Sequence, residues 1–133
     1  MKKLILSSIL FFIASFNLSA QTVEIGEATA NNTWQTINLT KSFTDPVVIA
    51  SATSLNDAEA SVVRIKNVTA SSFEIRVQEW DYLDGTHANE QIHYMVVEKG
   101  THTLASGTVL EAGTFNLSNS AYATINFTGT HSA

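Results

Sequence analysis

The chain has 133 residues, with seven Lys and Arg, twelve Asp and Glu, and no cysteine. A net charge of -5 with scattered cations argues against nucleic acid, whose binding needs clustered Lys and Arg to release counterions. Without cysteine there is no disulfide and no thiolate metal site, so stability must come from a packed core.

Met1, Lys2 and Lys3 open the chain, an apolar stretch LILSSILFFIASF follows, and Leu18-Ser19-Ala20 gives small-residue cleavage spacing before Gln21. This is the pattern of a secretory signal peptide over residues 1–20. About 13 apolar residues fall short of the ~18 to 20 that span a bilayer, and no later run comes near, so the expectation is an exported soluble protein with no membrane span, extracellular or periplasmic. Taking Lys2 and Lys3 from the seven basic residues leaves five against twelve acidic ones, a mature charge of -7.

From residue 21 onward the chain reads as strands. Val23 to Ile25, Trp34 to Leu39, Val47 to Ser54, Ser61 to Val68, Phe73 to Trp80, Ile92 to Glu98, Thr101 to Leu104, Val109 to Glu111 and Tyr122 to Phe127 are the candidates. Between them fall turn signals such as Asn31-Asn32, Asp45-Pro46, Asp84-Gly85 and Lys99-Gly100, at spacings usual for a β-sandwich. The prediction is an all-β antiparallel sandwich of about six to eight strands in residues 21–113. Pro46 can open a strand without losing a ladder bond, and the run VVIASA after it reads as a central strand covered on both sides.

Ser61 to Tyr82 is the most informative stretch. Val63 and Ile65 alternate with Arg64 and Lys66, and Phe73, Ile75 and Val77 with Glu74, Arg76 and Gln78. Facing residues must share one sense, so the hairpin loop has three or five residues; a loop of Thr69, Ala70 and Ser71 sets Ile65 against Ile75 and Arg64 against Arg76. Two facing arginines call for a carboxylate, Glu74, or a hydroxyl-rich ligand nearby. Trp80 shares the parity of Arg76 and Gln78, which puts an indole on the polar face beside cations, whereas Trp34 is assigned to the core.

Residues 114–133 hold an echo. TWQTINLTKSF (Thr33 to Phe43) recurs as AYATINFTGTH (Ala121 to His131), with Thr36-Ile37-Asn38 matching Thr124-Ile125-Asn126 at an offset of 88. Either a second repeat starts there, or a last strand closes a sheet in this or a neighbouring chain.

The ordered pieces Phe43-Thr-Asp-Pro-Val-Val-Ile, Val63-Arg-Ile-Lys-Asn-Val-Thr, Phe73 through Glu79-Trp80, and His93-Tyr-Met-Val-Val-Glu resemble the H-type lectin domain across Trp34 to Gly100. The resemblance implies a six-stranded antiparallel sandwich, a homotrimer, no catalysis, and binding of galactose or N-acetylgalactosamine-type glycans between protomers. It places Arg64 and Trp80 at the sugar, puts Asp81 where some members carry histidine, and leaves Asn31 to substitute for the family's acidic contact. The link from Asp81 to Glu90 is longer and more acidic than in compact members.

A planar guanidinium can pair with vicinal hydroxyls, and an indole can stack on a sugar's C–H face, so Arg64, Arg76, Trp80 and Tyr82 form the candidate carbohydrate site, with Asp81 and Asn31 beside them. Asp81, Asp84 and Glu90 are candidate calcium ligands, although no EF-hand spacing is present and no cofactor is required. Glu79 and Asp81 share strand parity, the one arrangement that raises a glycosidase, but no nucleophile or zinc motif accompanies them, so a non-enzyme is expected. The four histidines have no metal spacing and read as ordinary strand or surface residues. The alternative is a structural or adhesion repeat of a multi-module extracellular protein, with no sugar ligand.

Overall fold

Phe73, Ile75 and Val77 have no exposed surface, whereas Glu74, Arg76 and Gln78 between them are half-buried. This alternation belongs to one strand in a computed structural model that describes residues 23–117 and 122–128. Among the described residues there are eight strands and no helix.

Two three-stranded antiparallel sheets form the sandwich. One runs β1 (Val23–Ala30), β6 (Glu90–Glu98), β3 (Pro46–Ala52), with β6 in the centre. The other runs β2 (Gln35–Asn38), β5 (Ser72–Glu79), β4 (Ser61–Lys66), with β5 in the centre. A separate hairpin, β7 (Gly100–Thr103) and β8 (Val109–Ala112), follows. The central strands supply most of the core: Phe73, Ile75 and Val77 from β5 meet Ile92, Tyr94 and Val96 from β6, with Ala30 and Phe43 at the margins. Phe73 and Tyr94 pack edge to face, ring centroids 5.2 Å apart.

The β4–β5 register is the one read from the sequence, with Ile65 opposite Ile75, Val63 opposite Val77 and Arg64 opposite Arg76. Asn67 takes the left-handed conformation (φ 48°), and the Thr69 hydroxyl accepts the amide of Ser72, which turns the chain.

Three expectations are corrected. The apolar run in β3 is an edge strand, paired only with β6; Val48 and Ala50 pack on the core while Ile49 between them is 57% exposed, so the stretch is not covered on both faces and its length of apolar residues misled. Trp34 precedes β2 and is half-buried on the outer face, not in the core. Residues 122–127 form no strand and are exposed.

Glycine is required at position 26. A Cβ there would lie 2.3 Å from Cζ and Oη of Tyr94, across the β1–β6 pair. Gly26→Ala is expected to cost about 1–3 kcal/mol through overpacking, read as a lower denaturation midpoint with unchanged slope.

Without disulfides, glutamates at strand ends hold the loops. Glu24 accepts the Thr40 amide and hydroxyl (both 3.0 Å) and the Lys41 amide (3.1 Å). Glu98 accepts the amides of Thr44 (2.8 Å) and Asp45 (2.7 Å). Glu90 accepts those of Asn56 (2.8 Å) and Asp57 (2.9 Å), and the Ser54 hydroxyl. Each carboxyl bridges successive backbone N–H groups, and hydrogen bonds to a carboxylate are the stronger kind.

Candidate functional site

The outer face of the β2–β5–β4 sheet carries the cations and both indoles. The Trp34 ring lies under Lys66 Nζ (4.2 Å to the centroid) and the Arg76 guanidinium (4.7 Å). Arg76 also donates through Nη2 to Gln78 Oε1 at 2.8 Å. Arg76, which faces Arg64 across the pair, is thus held by Trp34 and Gln78 and not by Glu74. Glu74 instead accepts from Asn67 (3.0 Å) and meets Lys66 (3.1 Å), which together hold its carboxyl below the usual range, Asn67 first.

Trp80 stands just past β5 on the outward side, 53% exposed, as its parity predicted. Beside it opens a cleft of about 300 Å³ lined by Asn32, Arg76, Gln78, Trp80, Asp81 and Asp84, among others. The volume suits one small ligand. Arg76 Nε is buried there without a hydrogen-bond partner, so the guanidinium that lines the cleft has a donor left to satisfy.

Of the expected site residues, Arg76, Trp80 and Asp81 come together at this cleft. Arg64 shares the outer face but sits one strand away, exposed, and is not part of the cleft wall. Tyr82 is 79% exposed and also outside it. Asn31 is occupied locally, its Oδ1 accepting the Thr33 amide at 2.8 Å, and the neighbouring Asn32 lines the cleft in its place.

Behind the cleft lies a buried group that spacing did not reveal. Glu79 continues the inward parity of Phe73, Ile75 and Val77, so its carboxylate points into the fold, where it accepts the Gly85 amide (2.9 Å) and meets His87 Nδ1 (3.0 Å). The other nitrogen of His87 faces Glu90 at 3.4 Å and the Ser61 hydroxyl at 3.4 Å. His87 is therefore a buried tie between strand ends, not a surface residue. The inward parity of Glu79 was the signal that a partner was needed. Glu79, engaged by Gly85 and His87, and Asp81, exposed beyond the strand end, both line the cleft.

Carboxylates do gather: one oxygen each of Glu59, Glu79 and Asp84 lie within 4.8 Å of one another, as do ligand atoms of Asp57, Glu79 and His87. Of the calcium candidates only Asp84 belongs to either set; Asp81 and Glu90 do not. One oxygen from each would supply three of the six to eight that calcium takes, and the oxygens of Glu79 already serve Gly85 and His87.

This crowding gives a pH signature. Glu90 is held below the usual carboxyl range, chiefly by the Ser54 hydroxyl, and Asp57 by the amides of Ala88 and Glu59. Glu59 is pushed up, first by burial and then by Glu79. Depressed groups contribute stability above the unfolded value of about 4 that is lost as pH falls through their folded values. A raised group does the reverse: its contribution is present below about pH 4.3 and lost as pH rises through its folded value. The denaturation midpoint is expected to rise as pH falls through the folded value of Glu59 and to fall as pH drops further through those of Glu90 and Asp57. In urea titrations Glu59→Gln removes the first limb and Glu90→Gln flattens the second.

Among the described residues no helix is long and apolar enough to cross a membrane. No protein-family profile and no solved structure matches the chain. A stretch of 103 aligned residues, 71% of this chain, is 41% identical to part of Halomucin from Haloquadratum walsbyi (strain DSM 16790 / HBSQ001). The match covers 1% of Halomucin's length.

Proposed function

We propose that this chain is a secreted, non-catalytic carbohydrate-binding module of the H-type lectin kind, and that the cleft beside Trp80 takes a terminal galactose or N-acetylgalactosamine-type residue. The observation that carries the reading is the convergence of Arg76, Gln78, Asn32 and an exposed indole on one small cleft. Guanidinium and amides bind hydroxyls in pairs, and Trp80 offers a face for the sugar's C–H groups. Two sheets of three strands also agree with the number that the H-type resemblance implies. Asp81 and Asp84 at the rim favour a neutral sugar over an anionic one. A homotrimer, with Arg64 and Tyr82 reaching a neighbour's ligand, belongs to the same proposal.

The chain contains two tryptophans, so fluorescence separates them. Titration with N-acetylgalactosamine is expected to quench emission in the natural protein and in Trp34→Phe, but not in Trp80→Phe. Quenching that persists in Trp80→Phe contradicts the assignment.

A second reading, an adhesion repeat without a sugar ligand, draws on the small share of Halomucin that the match occupies: there the similar stretch is one small part of a far longer chain.

A further inference from the structure

In the sandwich, β1 lies in one sheet and β2 in the other, and Glu24 ties them by accepting the Thr40 amide at 3.0 Å just beyond β2. The same tie recurs later in the chain. Glu111, in β8, accepts the Thr128 amide, 3.0 Å from each carboxylate oxygen. Thr128 follows Thr40 by 88 positions, the offset of the Thr-Ile-Asn echo, and Glu24-Ile25-Gly26 recurs at an offset of 87 as Glu111-Ala112-Gly113.

The apolar pattern is carried over with it. Ala28 and Ala30 of β1, and Ile37 of β2 with Leu39 beyond it, face the core. At the same offsets stand Phe115, Leu117, Ile125 and Phe127, which are 60%, 57%, 46% and 67% exposed. Between them opens a cleft of about 320 Å³ lined by Glu111, Gly113, Phe115, Ile125 and Phe127. In the sandwich the space between β1 and β2 is filled by Phe73, Tyr94 and their neighbours from β5 and β6. Those central strands already have both edges paired, β5 by β2 and β4, β6 by β1 and β3, so residues 111–117 and 122–128 cannot take the β1 and β2 positions in their own sandwich.

We infer that residues 111–128 are the β1–β2 arm of a second sandwich of this kind, and that their partner is a further β3-to-β6 strand set that has no β1–β2 arm of its own. Four outward apolar side chains and a preset carboxylate clamp are the surface that partner covers.

The test extends the full chain with a copy of Pro46–Ala112 placed after Ala133, which continues the 88-residue offset because Ala133 corresponds to Asp45. Slowly exchanging amides are counted by NMR, with those of the unextended protein as reference. The count is expected to rise by the complement of a second strand set, and Ile125→Asp with Phe127→Asp is expected to return it to the single-sandwich value. Either pairing of arms with strand sets needs both arms, so an exchange of identical segments does not change this result. In the unextended chain the same two substitutions leave the melting temperature unmoved. An unchanged count in the extended chain overturns the inference, as does a raised count that survives the double substitution.

Discussion

Phe73→Ala is expected to lower the unfolding free energy by about 3–5 kcal/mol, a large part of the stability of a domain this size. Its ring is wholly buried on the central strand of one sheet and meets Tyr94 of the other edge to face, so truncation leaves a cavity where the two sheets touch. Neither wall can close without moving a central strand. Ile49→Ala is the matched control: Ile49 stands in an edge strand and faces outward, so its loss is expected to stay within about 0.5 kcal/mol. Urea denaturation of the two variants reads the difference directly. Equal losses would mean that the faces of the β1–β6–β3 sheet are reversed.

Arg76→Ala is expected to weaken glycan binding by about 10- to 150-fold, as for loss of a hydrogen bond to a charged group worth about 1.5–3 kcal/mol. Arg76 also stacks on Trp34, so the alanine variant alone does not separate binding from support of the face. Arg76→Lys does: the ammonium can still sit over the indole, but it cannot grip two hydroxyls in one plane. The lysine variant is expected to keep its melting temperature and lose most of its affinity by titration calorimetry. Retained affinity with lysine would make Arg76 a supporting residue rather than a ligand contact.

Much of the fold was legible because period-2 alternation is strong in this chain. Parity confined the β4–β5 loop to three or five residues, since a slip by one residue would have put Arg76 in the core and Ile75 in water, and the observed register is the one set by a loop of Thr69, Ala70 and Ser71. Two features were not legible for definite reasons. The run VVIASA has small and apolar residues on both faces, so it lacks the polar beat that marks an edge strand; only the pairing with β6 alone reveals it. Trp34 is large and apolar, and its place on the outside depends on Lys66 and Arg76, which are distant in sequence and supply the cations it stacks on.

The candidate site was half legible. Arg76, Trp80 and Asp81 were marked by parity and residue type, and they meet at one cleft. Arg64 was favoured through the resemblance and lies one strand over, because β4 sits at the sheet edge while the cleft forms at the end of the central strand. Asn31 lost its place to Asn32 through a local turn, a choice between adjacent like residues that parity outside a strand does not make. Glu79, His87 and Glu90 were singled out as an acidic cluster, but their burial and the contact of His87 with both glutamates depend on how the loop folds back, although the inward parity of Glu79 announced a buried charge in need of partners.

The most direct measurement is a glycan-array screen of Gln21 to Ala133, run with and without calcium, on the natural chain, Arg76→Ala and Arg64→Ala. Selective binding to terminal galactose-type sugars that is lost in Arg76→Ala and weakened less in Arg64→Ala is the result predicted by the cleft beside Trp80. A folded natural chain that binds no glycan under either condition, or binding that Arg76→Ala leaves intact, would contradict it.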